Sequence, residues 1–175
     1  MTGVYKIIPS CVQTKRWRIM QSWYINGKHN ECEKYQLTQL KTIINGELEN
    51  TYDRFDTETN DIVEIKSPYK CYDGFKFTEN FDKKIELNDK LYYFNLKFVC
   101  DIGGAQTRTI REVYNFIRCQ TMFNQKNIYF INILDGDTSN KYIEILKSLL
   151  KTKRNKKLIF IGDMYDFEQY WDIDT

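Results

Sequence analysis

Residues 81–99 read FDKKIELNDKLYYFNLKFV, and this stretch decides the fold. Apolar and polar side chains alternate on both sides of Asn88-Asp89, which is the pattern of two strands joined by a two-residue turn. Such a turn pairs Leu87 with Lys90 and fixes the register of the whole hairpin. The sequence therefore predicts a rigid antiparallel hairpin at the centre of the chain.

Three polar residues of this hairpin fall on one face. Counting outward from the turn pairs Asp82 with Asn95, and Lys97 lies two residues further along the same strand. The alternate residues, Phe94 and Leu96 among them, point to the opposite face and into a core. We therefore expect Asp82, Asn95 and Lys97 to converge, and a register slip of one residue would separate Asp82 from the other two.

Helices and further strands flank the hairpin. The spacing of apolar residues predicts strands at Ile62–Lys66, Gly74–Phe77, Ile128–Leu134 and Leu158–Ile161. It also predicts helices at Tyr35–Ile44 and Tyr142–Leu150. A further helix, N-capped by Thr107 or Thr109, is predicted to place Ile110, Val113, Tyr114 and Ile117 on one face. Helices between hydrophobic strands predict an α/β fold with a central mixed β-sheet flanked by helices. We expect one domain over residues 1–175, with a mixed, partly helical N-terminal part at 1–70 and the functional core at 71–175.

Composition excludes several classes of protein. Hydrophobic residues make up 42% of the 175 residues, which excludes a disordered chain. The net charge is only +2, which excludes a polycation that coats nucleic acid, although it permits a local basic patch. No apolar run approaches the roughly 20 residues of a membrane helix, so we expect no membrane partner.

The reactive side chains restrict the chemistry. Five cysteines lie without a metal-ligand spacing, and the N-terminal residues lack the apolar stretch of a secretory signal. We therefore expect free thiols in a reducing cytoplasm. The composition is rich in Lys, Asn and Ile, which indicates an AT-rich genome and hence a bacterial or virus-infected cell. His29 is the single histidine, so catalysis is expected to depend on carboxylates and lysines.

The hairpin residues suit metal-assisted hydrolysis of a phosphodiester. A carboxylate such as Asp82 can bind Mg²⁺, which withdraws charge from a phosphate and acidifies a water molecule. A neighbouring lysine such as Lys97 can orient that water and stabilise the developing negative charge. Because Mg²⁺ keeps several of its waters, one or two acidic ligands can suffice.

The pattern Asp82 … Asn95-Leu96-Lys97, on a hairpin followed by a helix and a strand, resembles the restriction-endonuclease-like PD-(D/E)XK nucleases over roughly residues 74–134. In that family an Asp opens the second core strand and an acidic-X-Lys triplet lies on the third. The resemblance implies a Mg²⁺-dependent DNA endonuclease of the restriction type, which acts as a homodimer because both strands are cut. It also implies that Asp82 binds the metal with the carbonyl of Leu96, and that Lys97 is the catalytic lysine.

Asn95 departs from the family pattern, because that position usually carries an acid. The missing acid could come from Glu79, three residues before Asp82, or from Glu112 on the following helix. Glu112 lies away from the apolar face of that helix and is also spaced for a surface ion pair with Arg108, which slightly favours Glu79. In the remaining interpretation the site is inactive.

A second triplet competes with the first. Glu64-Ile65-Lys66 is a literal acidic-X-Lys sequence on a predicted strand, with Asp53 or Asp56 upstream. It is followed by Ser67-Pro68 and another predicted strand, whereas the family has a helix at that point.

Two segments could contact nucleic acid. Gly103-Gly104 followed by Gln106, Thr107, Arg108 and Arg111 could bring a helix N-terminus and donors to a phosphate, or could simply begin a helix. The basic run 151–157, with Lys153 and Arg154, could follow phosphates or form a solvated loop. The basic and aromatic residues 15–18, with Trp23, suit contact with nucleic acid or a helix packed through its tryptophan, and we favour the packed helix.

Three functions remain open. The first is the Mg²⁺-dependent endonuclease that the resemblance implies. The second is a non-catalytic nucleic-acid-binding module that kept the nuclease fold and lost the acid at Asn95. The third is a protein-interaction domain, which predicts no DNA affinity even at low salt. Acids after the last strands, Asp135, Asp137 and Asp163, could bind metal but are equally explained by turns.

Overall fold

The computed structural model describes residues 6–66, 76–101 and 103–174. The first two residues of the strand predicted at Gly74–Phe77 lie outside these ranges. Within them, Phe77 forms an isolated antiparallel bridge with Asp56.

The helices are α1 (Lys15–Ile19), α2 (His29–Ile44), α3 (Gly104–Met122), α4 (Asp137–Ser148) and α5 (Met164–Asp174). The strands are β1 (Glu49–Asn50), β2 (Asp53–Phe55), β3 (Ile62–Glu64), β4 (Lys83–Leu87), β5 (Lys90–Phe98), β6 (Ile128–Asp135) and β7 (Ile159–Gly162). Short 3₁₀ turns cover Ser10–Val12 and Lys156–Leu158. No helix in the described ranges is long and apolar enough to cross a membrane.

The main sheet is mixed, as expected. Its strand order is β1-β4-β5-β6-β7, in which β1, β4 and β5 run antiparallel and β5, β6 and β7 run parallel. The prediction of an α/β fold with a central mixed sheet flanked by helices is confirmed. A separate two-stranded ribbon, β2 with β3, lies outside this sheet.

The predicted register of the hairpin is confirmed. Leu87 pairs with Lys90, and the two turn residues Asn88 and Asp89 have φ angles of 51° and 62°. Positive φ at both positions defines the type I′ turn, whose twist matches that of the flanking strands. The register therefore places Asp82, one residue before β4, beside the middle of β5.

Helices cover both faces of the sheet. Helices α3 and α4 pack on one face through Val113, Ile117 and Ile143, where Tyr93 and Phe130 form the sheet side of the core. Helices α2 and α5 pack on the other face in a second core with these members: Leu40, Ile44, Phe94, Leu96, Ile131, Ile133, Met164, Phe167 and Trp171. As predicted, Phe94 and Leu96 point away from the face that carries Asn95 and Lys97.

The expected N-caps of α3 are wrong. The helix begins at Gly104, so Thr107 and Thr109 lie inside its first turns. Their hydroxyls donate to the carbonyls of Gly103 and Ala105, four residues earlier, as threonine does within a helix. Tyr114, placed on the buried face by its spacing, is 39% exposed, and Phe116 takes its place in the core.

Other boundaries also differ from the sequence pattern. Helix α2 begins at His29, ahead of the predicted Tyr35. It ends at Ile44 and is capped by Asn45, whose φ of 53° is the left-handed conformation common after the last turn of a helix. Helix α5 and strands β1 and β2 have no counterpart among the predicted elements. β1 has only two residues and owes its place to pairing with β4.

Candidate functional site

A cleft of about 830 Å³ opens beside the polar face of the hairpin. Helix α3 forms one wall from Glu112 to Met122, and the segment 77–80 forms another. Asn95 and Lys97 of β5 lie between these walls. The cleft thus lies over the face of β5 on which the sequence predicted chemistry.

Lys97 and Glu79 form a tight ion pair within this cleft. The Nζ atom of Lys97 lies 2.6 Å from Oε2 of Glu79. The lysine side chain is only 21% exposed, and although burial disfavours its charged form, Glu79 raises its pKa above the ordinary value. Lys97 is therefore a charged ammonium group held by a carboxylate at the cleft.

Asp82 lies close to this pair but is largely buried. Its Oδ2 atom accepts a 2.6 Å hydrogen bond from the backbone N–H of Leu96. Burial raises the pKa of Asp82 to about 6, while the Leu96 N–H and Lys97 act in the opposite direction. The structure thus brings Asp82 to Lys97 as predicted, with one carboxylate oxygen already bonded to the backbone.

Glu112 also reaches this group. Burial and the proximity of Glu79 raise the pKa of Glu112, and a hydrogen bond between the two carboxyl groups contributes. Lys97 and Arg108 act in the opposite direction. Both positions that the sequence offered for the missing acid, Glu79 and Glu112, therefore lie together at the cleft.

Asn95 lies at the bottom of the cleft and is bonded into the core. It is 3% exposed, and its Nδ2 donates to Oδ1 of Asn132 on β6 at 3.2 Å. The Asn132 amide exchanges two hydrogen bonds with Gln120 of α3, at 2.9 and 2.8 Å. A chain of buried amides thus connects β5, β6 and α3, which explains why a neutral amide is tolerated at this position.

The acidic residues can be tested against the Mg²⁺ that the resemblance implies. Within residues 6–66, 76–101 and 103–174, no group of three or more His, Cys, Asp or Glu side chains is arranged to hold a metal ion. Glu79 and Glu112 nevertheless both line the cleft, where the charge of Glu79 raises the pKa of Glu112, and a cation between the two carboxylates would relieve that repulsion. Because Mg²⁺ is commonly held by one or two carboxylates and several waters, this donor pair fits it.

Sequence reasoning missed two arginines of the cleft. Arg54, on β2, is 8% exposed and lines the cleft, where burial lowers its pKa and Glu79 opposes that effect. Arg118 lines the same wall of α3 as Glu112. All three residues of β2 are buried, which is a property of the fold that no local sequence pattern around Arg54 indicates.

The predicted nucleic-acid contacts lie at the two ends of α3. Gln106, Thr107, Arg108 and Arg111 belong to its first turns and do not line the cleft. Lys153 and Arg154 precede Asn155, whose Nδ2 donates to the carbonyls of Gln120 and Phe123 at the other end. The structure thus separates the two predicted groups by the length of the helix.

The competing acidic-X-Lys triplet is not part of the cleft. Glu64 and Lys66 form an exposed ion pair at 3.0 Å. The upstream Asp53 accepts from Lys84 at 3.1 Å and from the Tyr93 hydroxyl at 2.8 Å. Asp56, the other upstream acid, accepts from the backbone N–H of Glu58 in a turn.

The acids at the ends of β6 and β7 fasten the N-terminal segment to the sheet. Asp163 accepts two 2.7 Å hydrogen bonds from Ser10, through its backbone N–H and its hydroxyl. Asp135 accepts from Gln36 of α2 at 2.8 Å and from the N–H of Met164 at 3.2 Å. The backbone N–H of Asp137, the first residue of α4, donates to the Gln13 carbonyl.

The basic and aromatic N-terminal segment is helical and packed, as the sequence favoured. Trp17 of α1 stacks on Phe98 with ring centroids 6.4 Å apart and meets Trp23 at 6.1 Å. Trp23 stacks in turn on Tyr35 of α2 at 4.3 Å. These aromatic rings are therefore used in packing α1 against β5 and α2.

Comparison with family models, curated proteins and solved structures found no match to this chain. The function is therefore argued from the contacts and charges of the cleft residues.

Proposed function

We propose that this chain is a Mg²⁺-dependent DNA endonuclease with a restriction-endonuclease-like core. The observation that carries the proposal is the convergence of Glu79, Lys97 and Glu112 at one cleft, with the largely buried Asp82 close to Lys97. Two carboxyl groups that face a partly covered ammonium group are a donor set that metal-assisted phosphodiester hydrolysis can use.

The order of elements supports the resemblance to these nucleases. Asp82 lies directly before β4, Asn95-Leu96-Lys97 lies on β5, and α3 leads from β5 to the parallel strand β6. This order is the one in which the family presents its aspartate, its acidic-X-Lys triplet, and the following helix and strand.

Each residue of the cluster has a distinct part in the proposed reaction. Glu79 and Glu112 would hold the metal ion with Asp82 beside them, and the carbonyl of Leu96 remains the further ligand that the resemblance implies. A bound Mg²⁺ supplies charge neutralisation at the phosphate and a more acidic water molecule. Lys97 contributes an ammonium group that orients the attacking water and stabilises charge on the phosphate oxygens.

The partner that this proposal implies is DNA, cut by a homodimer. One chain carries one such cluster in its described residues, so cleavage of both strands requires two copies. Near the two ends of α3, the exposed Arg108, Arg111 and Arg154 and the partly exposed Lys153 are available to DNA phosphates outside the cleft.

The test is cleavage of a mixed-sequence plasmid with Mg²⁺, compared with EDTA. We expect nicked or linear product only with the metal, and a rate lowered by about 100-fold or more in Lys97→Ala, because the ammonium group is lost. Lys41→Ala, on α2 across the sheet, is the matched control and should cut like the wild type. No cutting at any salt, or equal cutting by Lys97→Ala, contradicts the proposal.

A second function is favoured by one observation, the use of Asn95 in the buried amide chain with Asn132 and Gln120. Because the Asn95 side chain is buried and hydrogen-bonded within the core, it does not act as a metal ligand. This arrangement is what we expect of a nucleic-acid-binding module that has lost catalysis. This module binds DNA equally well with and without Mg²⁺ and leaves the plasmid intact. The absence of DNA binding at low salt would instead favour a protein-interaction domain.

A further inference from the structure

Helix α2 carries two buried glutamines, Gln36 and Gln39, in the stripe of the helix that packs against the sheet. They are 1% and 3% exposed, and the buried Tyr35 and Leu40 lie beside them in the same stripe. A buried amide costs stability unless its hydrogen-bonding groups find partners. The partners of Gln36 therefore show what this residue contributes to the fold.

The side-chain amide of Gln36 connects two strands of the sheet. Its Nε2 atom donates to the backbone carbonyl of Lys97 at 3.1 Å and to Oδ2 of Asp135 at 2.8 Å. Lys97 is the residue before the last of β5, and Asp135 is the last residue of β6. Because these strands are parallel neighbours, one amide joins α2 to the carboxyl ends of both.

This contact restrains the backbone of Lys97 where the sheet gives least support. Strand β5 ends at Phe98, whose pairing with Asp135 is the last of the register between β5 and β6. Strand ends open more readily than strand centres, so a hydrogen bond from outside the sheet restrains this end. The ammonium group of Lys97 meets Glu79 at 2.6 Å, and its position depends on how firmly the end of β5 is held.

The other partner of Gln36 is itself fixed in the core. Asp135 is fully buried and also accepts from the backbone N–H of Met164, the first residue of α5, at 3.2 Å. The amide of Gln36 is thus bonded to Lys97 on one side and to an immobilised carboxyl group on the other. Reactive side chains keep their geometry through such supporting contacts, and a displacement of about 1 Å can lower a rate about 100-fold.

We propose that Gln36 is a positioning residue for Lys97, because its amide fixes the end of β5 to α2 and to the buried Asp135 and so sets where the Lys97 ammonium group lies in the cleft. The inference rests on the proposed function, since it takes Lys97 as the residue that acts on the phosphate. It adds to that function a residue outside the segment 74–134 that resembles the nucleases.

The first test compares plasmid cleavage by Gln36→Met and Gln39→Met. Both substitutions keep the length of the side chain and remove a buried amide, but Gln39 donates to the hydroxyl of Tyr35 on its own helix. We expect Gln36→Met to lower kcat about tenfold, because Lys97 is displaced, and to leave KM within about twofold, because the exposed cations outside the cleft are unchanged. Gln39→Met should cut like the wild type.

A double variant separates positioning from general damage to the fold. In the Lys97→Ala background, Gln36→Met should cause no further loss of kcat, since the group that it positions is absent. A merely structural defect would lower kcat by the same factor in both backgrounds, and that result overturns the inference.

A second readout does not depend on cleavage. HNCO spectra of the labelled protein report the ¹³C shift of the Lys97 carbonyl through the amide of Phe98. Loss of a hydrogen bond to a carbonyl oxygen moves its carbon upfield, so we expect an upfield shift in Gln36→Met and none in Gln39→Met. An unmoved Lys97 carbonyl signal in Gln36→Met overturns the inference.

Gln36→Asn, with Gln39→Asn as its control, covers the case in which Gln36→Met does not fold. It keeps the amide but shortens its reach by one methylene, and we expect the same changes in kcat and in the Lys97 carbonyl signal. If neither Gln36 variant folds while both Gln39 variants do, the amide is a structural requirement and the inference falls.

The outcomes distinguish this inference from the proposed function. If the wild type cuts in a Lys97-dependent way and the Gln36 variants cut equally well, only the inference falls. If no plasmid is cut but the Lys97 carbonyl signal moves in the Gln36 variants alone, the positioning of Lys97 stands and the proposed hydrolysis falls.

Discussion

Lys97 shows how one residue gains its chemistry from position. A lysine at the end of a strand is normally solvated, but here the walls of the cleft cover four-fifths of its side chain and Glu79 holds its charge. The pKa of Lys97 stays above the ordinary value because the carboxylate outweighs the effect of burial. The residue is therefore suited to stabilise negative charge and unsuited to act as a general base.

Replacement of Asn95 distinguishes a structural role of this residue from a role in catalysis. Asn95→Asp restores the acidic-X-Lys pattern, but aspartate cannot donate to the Asn132 oxygen while ionised. We expect the free energy of unfolding to fall by about 1–3 kcal/mol at pH 7, measured by urea denaturation. The loss should shrink towards pH 4, because the protonated acid can donate the missing hydrogen bond.

Asn88→Asp in the exposed hairpin turn is the control for this substitution and should be close to neutral, since aspartate also tolerates positive φ. Wild-type stability of Asn95→Asp at pH 7, together with new Mg²⁺-dependent cleavage, would contradict a purely structural role for Asn95.

At the scale of elements, α3 organises the site. One helix face carries Val113 and Ile117 into the core, and Gln120 joins them there through the buried amides. Glu112 and Arg118, on the neighbouring strip of the helix, line the cleft. Because the same helix packs the sheet and walls the cleft, small shifts in its packing are expected to change the spacing of Glu112 from Glu79.

The glycines at two helix starts are expected to differ in importance. A methyl group at Gly104 meets no atom within 4 Å, so Gly104→Ala should raise stability by about 0.4–1 kcal/mol. Gly136 has a φ of +93°, and a methyl group there would lie 2.2 Å from the Val99 carbonyl oxygen, so Gly136→Ala should destabilise by at least about 1–3 kcal/mol.

Thermal or urea unfolding of the two alanine variants measures this contrast. Binding of DNA by Gly104→Ala should match the wild type, because the start of α3 lies outside the cleft. If Gly104→Ala is more stable but binds DNA more weakly, the result would instead indicate that a nucleic-acid backbone approaches Gly103-Gly104 closely.

At the scale of the molecule, Asp135 joins parts that are distant in sequence. Fully buried at the end of β6, it accepts from Gln36 of α2 and from the first residue of α5, Met164. Burial raises the pKa of Asp135 to about 7, so the folded protein holds its proton more tightly than the unfolded chain does. The protonated Asp135 therefore stabilises the folded state fully below the ordinary aspartate pKa, and this contribution is lost as pH rises towards 7.

Asp135→Asn is expected to remove this dependence of the free energy of unfolding on pH. The free energy of unfolding of the wild type should fall relative to the variant between about pH 4 and 7, by on the order of 3 kcal/mol. Urea denaturation across that range measures the difference, and Asp89→Asn in the exposed turn is the control. If the free energy of unfolding varies with pH in the same way for the wild type and for Asp135→Asn, the buried carboxyl group does not take up this proton.

The hairpin shows how much of the site could be predicted from the sequence. A two-residue Asn-Asp turn leaves one register, so the common face of Asp82, Asn95 and Lys97 follows from local geometry alone. The boundaries of α2 and α3 were less predictable, because the outer turns of a helix carry no periodic apolar signal. Arg54 was missed because nothing in its own strand indicates that β2 lies over the cleft.

The sequence by itself determined the hairpin, its register, the buried strands and the α/β class, since each depends on alternation and turn chemistry within a few residues. Only the tertiary structure decided that Glu79 and Glu112 meet at Lys97, and that Asn95 belongs to a buried amide chain. These contacts join segments separated by many residues. Their spacing is fixed by how α3 packs on the sheet, which no local pattern specifies.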